Sequence, residues 1–141
     1  MSRSFILSRT ARMLLPVLVV LSLVTFYRGH HLPGGGFIGG LLAASGFALV
    51  ALGDGTAVAR RLLRIKPVSL MAGGLSVALG SGILGLVAGS AFFQGLWLPE
   101  IHIPVLGVVH MGTPMLFDAG VYLTVAGFAL QVLFSLQEAD A

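Results

Sequence analysis

Four long apolar segments alternate with short polar or glycine-rich stretches along the chain. They cover about residues 5–27, 37–58, 67–89 and 114–136. A helix needs about 20 residues to cross a hydrocarbon core of about 30 Å, and each segment is long enough. None of them shows the strict alternation of apolar and polar residues that a membrane β-barrel strand requires. The pattern therefore predicts an all-α integral membrane protein, with four transmembrane helices in a single membrane domain.

Composition supports a lipid environment. Hydrophobic residues make up 57% of the 141 residues and charged residues only 9%, whereas soluble domains carry about 25% charged residues. A basic, apolar N-terminal segment is also typical of a signal peptide, but YRGHHLPGG follows it in place of a small-x-small cleavage site. We therefore expect the first helix to be retained. The chain has no cysteine, which excludes disulfides and thiolate metal sites.

The basic residues predict an orientation. Seven of the eight lie either at or before the beginning of the first span or between the second and the third, namely Arg3, Arg9, Arg12, Arg60, Arg61, Arg64 and Lys66. Basic residues concentrate on the cytoplasmic side of membrane proteins. Both termini are therefore expected in the cytoplasm. The net charge of +3 is explained by topology, and no nucleic-acid partner is predicted.

Residues 90–113 form the one sizeable loop on the outer side. Aromatic, isoleucine and proline side chains make this segment too apolar for a freely solvated loop, so we expect it to lie along the membrane interface, with Trp97 as an anchor.

Glycine accounts for 20 residues, and small residues recur every fourth position in the predicted second and third helices. This spacing lets helix backbones approach closely in lipid. Stripes on more than one side of a helix predict packing against other membrane proteins or copies of the chain.

The stretch GHHLPGGGFIGG, residues 29–40, has no GK[ST] after its glycines and is not a phosphate-binding P-loop. Pro33 and the following glycines predict a tight turn that re-enters the membrane. His30 and His31 either lie at the interface without further function or relay protons or ions on the outer side, because histidine titrates near neutral pH. The pattern leaves both readings open.

Asp118 is the acidic residue closest to the interior of a span. Thr113 is a candidate N-cap and Pro114 a candidate first residue of the fourth span, which places Asp118 one turn inside. The helix dipole would stabilise its carboxylate. An ionisable group within a span is also a candidate functional site, so Asp118 is a candidate for the ion or proton path. No catalytic constellation, metal site or cofactor is predicted, and we expect no enzyme.

Two motifs together resemble one family. GHHLPGGGFIGGLLAASGFAL and LFDAGVYLTVAG are similar to segments of the B subunit of the Mrp-type multisubunit Na⁺/H⁺ antiporter, and the resemblance extends over nearly the whole chain. The motif positions are Pro33, Gly34, Gly35, Gly36, Phe37, Gly39 and Gly40 in the first, and Phe117, Asp118, Gly120, Val121 and Tyr122 in the second. The family commonly has a polar residue such as asparagine where this chain has His31, which leaves His30 as the better candidate.

The resemblance implies a component of the cell membrane of a bacterium or archaeon that acts only together with other membrane subunits. Na⁺ and H⁺ would be the transported ions. Two alternatives remain at this point: a subunit of a related complex such as a membrane-bound hydrogenase, and a self-assembling small cation channel with Asp118 lining its pore.

Overall fold

The computed structural model describes residues 4–28, 35–87, 101–103, 107–109 and 113–139. The described part contains the helices α1 (Phe5–Arg28), α2 (Gly36–Asp54), α3 (Thr56–Leu63), α4 (Pro67–Val87) and α5 (Thr113–Ala139). By length and composition, α1, α2, α4 and α5 can each cross a membrane, and they lie at the four predicted spans. The prediction of an all-α membrane protein with four spanning helices is thereby confirmed.

The predicted outer loop contains a small element that the sequence analysis does not anticipate. Strands β1 (Ile101–Ile103) and β2 (Gly107–Val109) pair antiparallel, with His102 opposite Val108. Three residues are too few for a strand pattern to be recognised in a sequence. The rest of the loop, including Trp97, lies outside the described residues.

The second span ends earlier than predicted. The expected segment reached residue 58, but α2 ends at Asp54 and the amphipathic helix α3 follows after Gly55. Gly55 has φ +100°, which a residue with a Cβ atom rarely adopts, so glycine permits this break between the two helices. The break separates the apolar helix α2 from the amphipathic helix α3, which contains Arg60 and Arg61.

The four long helices form a row and do not close into a bundle. Their order is α1, α2, α5 and α4, with α2 and α5 in the middle. Within the described part of the chain, α4 makes no contact with α1 or α2. In the described part of the chain, α4 therefore packs on α5 alone, whereas α1 packs on α2 and also contacts α5 at a few residues. Many large apolar side chains along α1 and α4 are exposed.

Small residues lie at the contacts between neighbouring helices, as their spacing predicts. A Cβ atom added to Gly74 of α4 would come 2.5 Å from the carbonyl oxygen of Gly120 in α5, so these two backbones touch. On α2, Gly46 faces Leu15 of α1, whereas Gly40 faces Tyr122 of α5. The predicted use of more than one side of the second span is confirmed within this one chain.

The row has two opposite sides, one at each end of the helix axes, and these two sides differ in chemistry. At one end, called the basic end here, Arg12 of α1 pairs with Asp54 of α2 at 2.6 Å, and Arg60 of α3 pairs with Glu138 of α5 at 2.8 Å. The opposite end, called the glycine end, contains the start of α2 and the first turns of α5. The assignment of the basic end to the cytoplasm stays a prediction.

Candidate functional site

The two sequence motifs meet at the glycine end. The backbone N–H of Gly36, the first residue of α2, donates a hydrogen bond of 2.8 Å to Oδ1 of Asp118 in α5. These residues are 82 positions apart in the sequence. Asp118 therefore caps the N-terminus of a different helix from its own.

This arrangement adds to the prediction for Asp118. The start of its own helix, α5, was expected to stabilise the carboxylate, and the structure adds a hydrogen-bond donor from the start of α2. The first N–H groups of a helix lack partners within the helix, and the dipole makes that end favourable for an anion. The favourable helix terminus is therefore supplied by the other motif.

Gly35 completes the turn into α2. Its φ is +98°, and its N–H donates a 3.1 Å hydrogen bond to the carbonyl oxygen of Thr25 in α1. A side chain here would be strained by the backbone conformation, and its Cβ would lie 3.2 Å from Oδ2 of Asp118. The glycine thus permits both the turn and the approach of the carboxylate.

Gly36 leaves even less room. A Cβ atom at this position would lie 2.7 Å from Oδ1 of Asp118 and 3.0 Å from the backbone nitrogen of Tyr122. Gly39 and Gly40, one turn further along α2, likewise lie against Tyr122. Close contact between the α2 and α5 backbones brings the Asp118 carboxylate within hydrogen-bonding distance of the Gly36 N–H.

Tyr122 links this contact to α1. Its hydroxyl group lies 2.8 Å from Oγ of Ser22, which is buried and also donates to the carbonyl oxygen of Val19 at 2.6 Å. Since Ser22 uses its only proton on Val19, the Tyr122 hydroxyl group is the donor to Ser22. The Tyr122 ring also packs edge-on against Phe26, with the ring centroids 5.6 Å apart.

Three helices therefore converge on a small polar cluster. Asp118 and Tyr122 are one turn apart on α5, and the hydroxyl group of Tyr122 connects α5 to Ser22 of α1. Asp118 is half-buried, as is Tyr122. A carboxylate in this position can accept a proton or contact a cation, while one of its oxygens holds the start of α2.

The other motif residues surround the cluster or face elsewhere. Phe37 is 59% exposed and lines an apolar groove between α2 and α5 together with Leu41 and Phe128. Phe117 is also exposed, Val121 is half-buried and Gly120 packs on α4. His30, Pro33 and Gly34 lie outside the described residues.

Ser22 and Thr25 are the site residues that the sequence analysis missed. A single serine within an apolar span is a weak signal, although polar side chains in spans often bond to a neighbouring helix. Thr25 contributes a backbone carbonyl group, which carries no signature in a sequence.

No group of three or more histidine or acidic side chains capable of holding a metal ion occurs in the described part. The four histidine side chains lie outside it.

Comparison with known proteins identifies the family. Residues 6–131 match the domain related to the MnhB subunit of Na⁺/H⁺ antiporter. The chain belongs to the MnhB family. The B subunit of the Na⁺/H⁺ antiporter of Alkalihalophilus pseudofirmus is 32% identical over 139 residues, which span 99% of this chain and 96% of the relative. The corresponding B subunit of Bacillus subtilis is 29% identical over the same extent.

Other members of the MnhB family are parts of longer chains. A probable K⁺/H⁺ antiporter protein of Rhizobium meliloti, named as a combined A/B subunit, is 36% identical over 94% of this chain, which corresponds to 13% of the relative. The solved Mrp complex of a Dietzia species contains a chain that matches with a TM-score of 0.78 and 35% identity, again over 94% of this chain and 14% of the longer one. The chain is therefore a membrane subunit of a multisubunit antiporter, as the resemblance implies.

Proposed function

We propose that this MnhB-family subunit contributes to Na⁺/H⁺ antiport in two ways that both depend on Asp118. The carboxylate fixes the glycine end of the row by capping α2, and it exchanges a proton or a cation at that end. The hydrogen bond from Gly36 to Asp118 is the observation that carries the proposal, because it holds an acidic side chain at a favourable helix terminus within a predicted span.

The position of Asp118 supports the proposal. Its carboxylate lies at the start of α2, a helix terminus that suits an acidic side chain. An ionisable group inside a membrane segment is costly, so its presence marks a candidate functional site. Oδ1 accepts the backbone N–H of Gly36 and Asp118 is half-buried. Among the described residues Oδ2 accepts no hydrogen bond, so we assign it to the ion or proton. His30 precedes this turn by a few residues, and we retain it as the second candidate on the path.

The partners are proposed to be the other membrane subunits of the complex. The row exposes both end helices, and a Cβ atom on Gly73 or Gly80 of α4 would meet nothing within 4 Å. Glycine weakens a helix by about 1 kcal/mol relative to alanine, so these open glycines are consistent with a second helix packing there. The relative that combines A and B in one chain supports a longer A-type protein as one neighbour. Since relatives are named for Na⁺ and for K⁺, both ions belong in the assay.

The test is Asp118→Asn in the whole complex, assayed for antiport in membrane vesicles with Na⁺ and with K⁺. Asparagine keeps an oxygen that accepts the Gly36 N–H but cannot become a carboxylate. We therefore expect normal subunit composition and a fall of about tenfold or more in antiport, with Glu138→Gln at the basic end as the matched control. His30→Gln, with His31→Gln as its control, tests His30 in the same assay.

Normal antiport with Asp118→Asn would reject a role on the ion path and leave the capping role. Loss of the complex with Asp118→Asn would show that the charge itself is needed for assembly. Asp118→Glu then distinguishes the two requirements. A complex that assembles with glutamate but transports poorly would show that assembly needs the negative charge, whereas antiport needs the position of the carboxylate.

A further inference from the structure

A cavity lined by basic and apolar residues lies at the basic end, away from the Asp118 site. It has a volume of about 340 Å³ and lies at the turn between α3 and α4, and α5 forms its other side. Its lining includes three cationic side chains and one amide, from Arg60, Arg64, Lys66 and Gln131. The antiport proposal makes no use of this cavity.

The cavity carries excess positive charge. Arg60 donates two hydrogen bonds to the carboxylate of Glu138, so one cation is paired with one anion. Among the described residues, Arg64 and Lys66 have no acidic partner, and both are exposed. Two positive charges at the cavity are therefore available to an anion.

The backbone at Arg64 has an unusual conformation. Arg64 ends α3 with φ +66°, and it is the one residue other than glycine with positive φ in the described part of the chain. Residues with a Cβ atom adopt this region infrequently. The turn ends α3 and leaves Arg64 and Lys66 together at the rim of one cavity.

The border of the cavity is apolar on the side of the predicted span. Ile65 and Val68 also line it, and they are 52% and 54% exposed. Pro67, which begins the spanning helix α4, is buried beside them. The cations thus lie at the level where a membrane helix begins, with exposed apolar side chains next to them.

A phospholipid headgroup fits this combination. The planar guanidinium group of arginine can donate two hydrogen bonds to phosphate oxygens, and lysine adds a positive charge. Basic pockets at the ends of membrane helices bind anionic headgroups. A free phosphate ion would use the cations but would gain nothing from Ile65 and Val68, whereas the acyl chains of a lipid would cover them.

We propose that the cavity at the α3–α4 turn binds the phosphate of an anionic phospholipid, with Arg64 and Lys66 as its principal ligands and the acyl chains beside Ile65 and Val68. The bound lipid would extend the basic end of the row by filling the space between α3, α4 and α5. This assignment does not depend on the role of Asp118.

The experiment uses the whole antiporter complex in mild detergent with equal amounts of dioleoyl phosphatidylglycerol and dioleoyl phosphatidylcholine, and counts retained lipids by native mass spectrometry. Phosphatidylglycerol should be retained preferentially. Arg64→Gln and Lys66→Gln should each lower its retention about fivefold, since a basic residue near an anionic surface contributes about that factor. Arg61→Gln is the matched control, because Arg61 is exposed in the same basic segment and does not line the cavity.

If Arg61→Gln and Arg64→Gln lower the retention of phosphatidylglycerol equally, the proposal is overturned, because the lipid is then attracted to the whole basic segment and not to the cavity. Equal retention of both lipids by the unaltered complex would also overturn it, and this outcome requires no variant to fold. If millimolar inorganic phosphate displaces phosphatidylglycerol, the cavity takes free phosphate and the lipid assignment is wrong.

Discussion

The two ends of the helix row both use carboxylates to connect helices, but the partners differ. At the glycine end, Asp118 accepts a backbone N–H from Gly36 in another helix. At the basic end, Asp54 and Glu138 pair with the side chains of Arg12 and Arg60. The side chains of Arg60 and Glu138 are 36% and 46% exposed, so water and salt compete for that pair, whereas the Asp54 side chain is only 12% exposed and also accepts a hydrogen bond from Ser8.

The difference determines what each end tolerates. A backbone donor cannot move without moving its helix, so the Gly36–Asp118 contact fixes the relative position of α2 and α5. An arginine side chain can reorient, and exposed ion pairs contribute little to stability. We therefore expect substitutions at the glycine end to alter the assembled protein strongly and substitutions at the exposed Arg60–Glu138 pair to alter it weakly.

The largest effect is expected for Gly36→Ala. The added methyl group would overlap the backbone and carboxylate of Asp118 and lie 3.0 Å from the Tyr122 nitrogen, so α2 and α5 would have to separate. Overpacking of this kind costs about 1–3 kcal/mol or more. This destabilisation is measured by the yield and the thermal stability of the purified complex, and both should fall.

Gly73→Ala is the matched control, because a Cβ atom there meets nothing within 4 Å and alanine favours a helix. If the complex tolerates Gly36→Ala and Gly73→Ala equally, the close approach of α2 and α5 at the glycine end is contradicted. If Gly73→Ala alone prevents assembly, the open face of α4 is the more demanding contact.

An intermediate effect is expected for the hydrogen bond between Tyr122 and Ser22. Tyr122→Phe removes the donor but leaves Ser22 bonded to Val19, so no buried group loses its last partner. Hydrogen bonds between membrane helices contribute about 0.6 kcal/mol on average. A double-mutant cycle of Tyr122→Phe and Ser22→Ala, read from thermal unfolding of the complex, should give a coupling of about that size.

Ser76→Ala serves as the control for this cycle, because Ser76 is exposed on α4 and bonds only to the carbonyl oxygen of Ala72 in its own helix. Its combination with Tyr122→Phe should be additive. Additivity of Tyr122→Phe with Ser22→Ala would show instead that the two hydroxyl groups do not interact.

Most of the helical architecture could be predicted from the sequence, because apolar length alone identifies membrane spans. The small-residue spacing likewise predicted close helix contacts, and Gly74 and Gly120 make one. The break at Gly55 was missed because glycine occurs throughout these spans and its backbone conformation has no distinct sequence signal. The order of the four long helices in the row could not be predicted either, because each of them carries apolar side chains on every side.

The candidate site was predicted in its residues but not in its geometry. The glycine motif and Asp118 were identified separately, each with a local explanation for its chemistry. Their contact joins positions 82 apart and depends on the packing of α2 against α5, which the pattern of one segment does not contain. Ser22 was missed for the same reason, because its importance comes from Tyr122 on another helix.

The smallest effect is expected at the Arg60–Glu138 pair. Glu138→Gln removes the ion pair but leaves the Arg60 guanidinium 4.8 Å from the centre of the Phe134 ring, where cation–π attraction persists. Arg60→Gln removes both interactions, so it should lower the thermal midpoint of the complex more than Glu138→Gln does. We expect both shifts to stay below about 2 °C and the Glu138→Gln shift to vanish at high salt, where exposed charges are screened. A larger, salt-independent loss would show that the pair is shielded from solvent in the assembled complex, which would make the basic end as constrained as the glycine end.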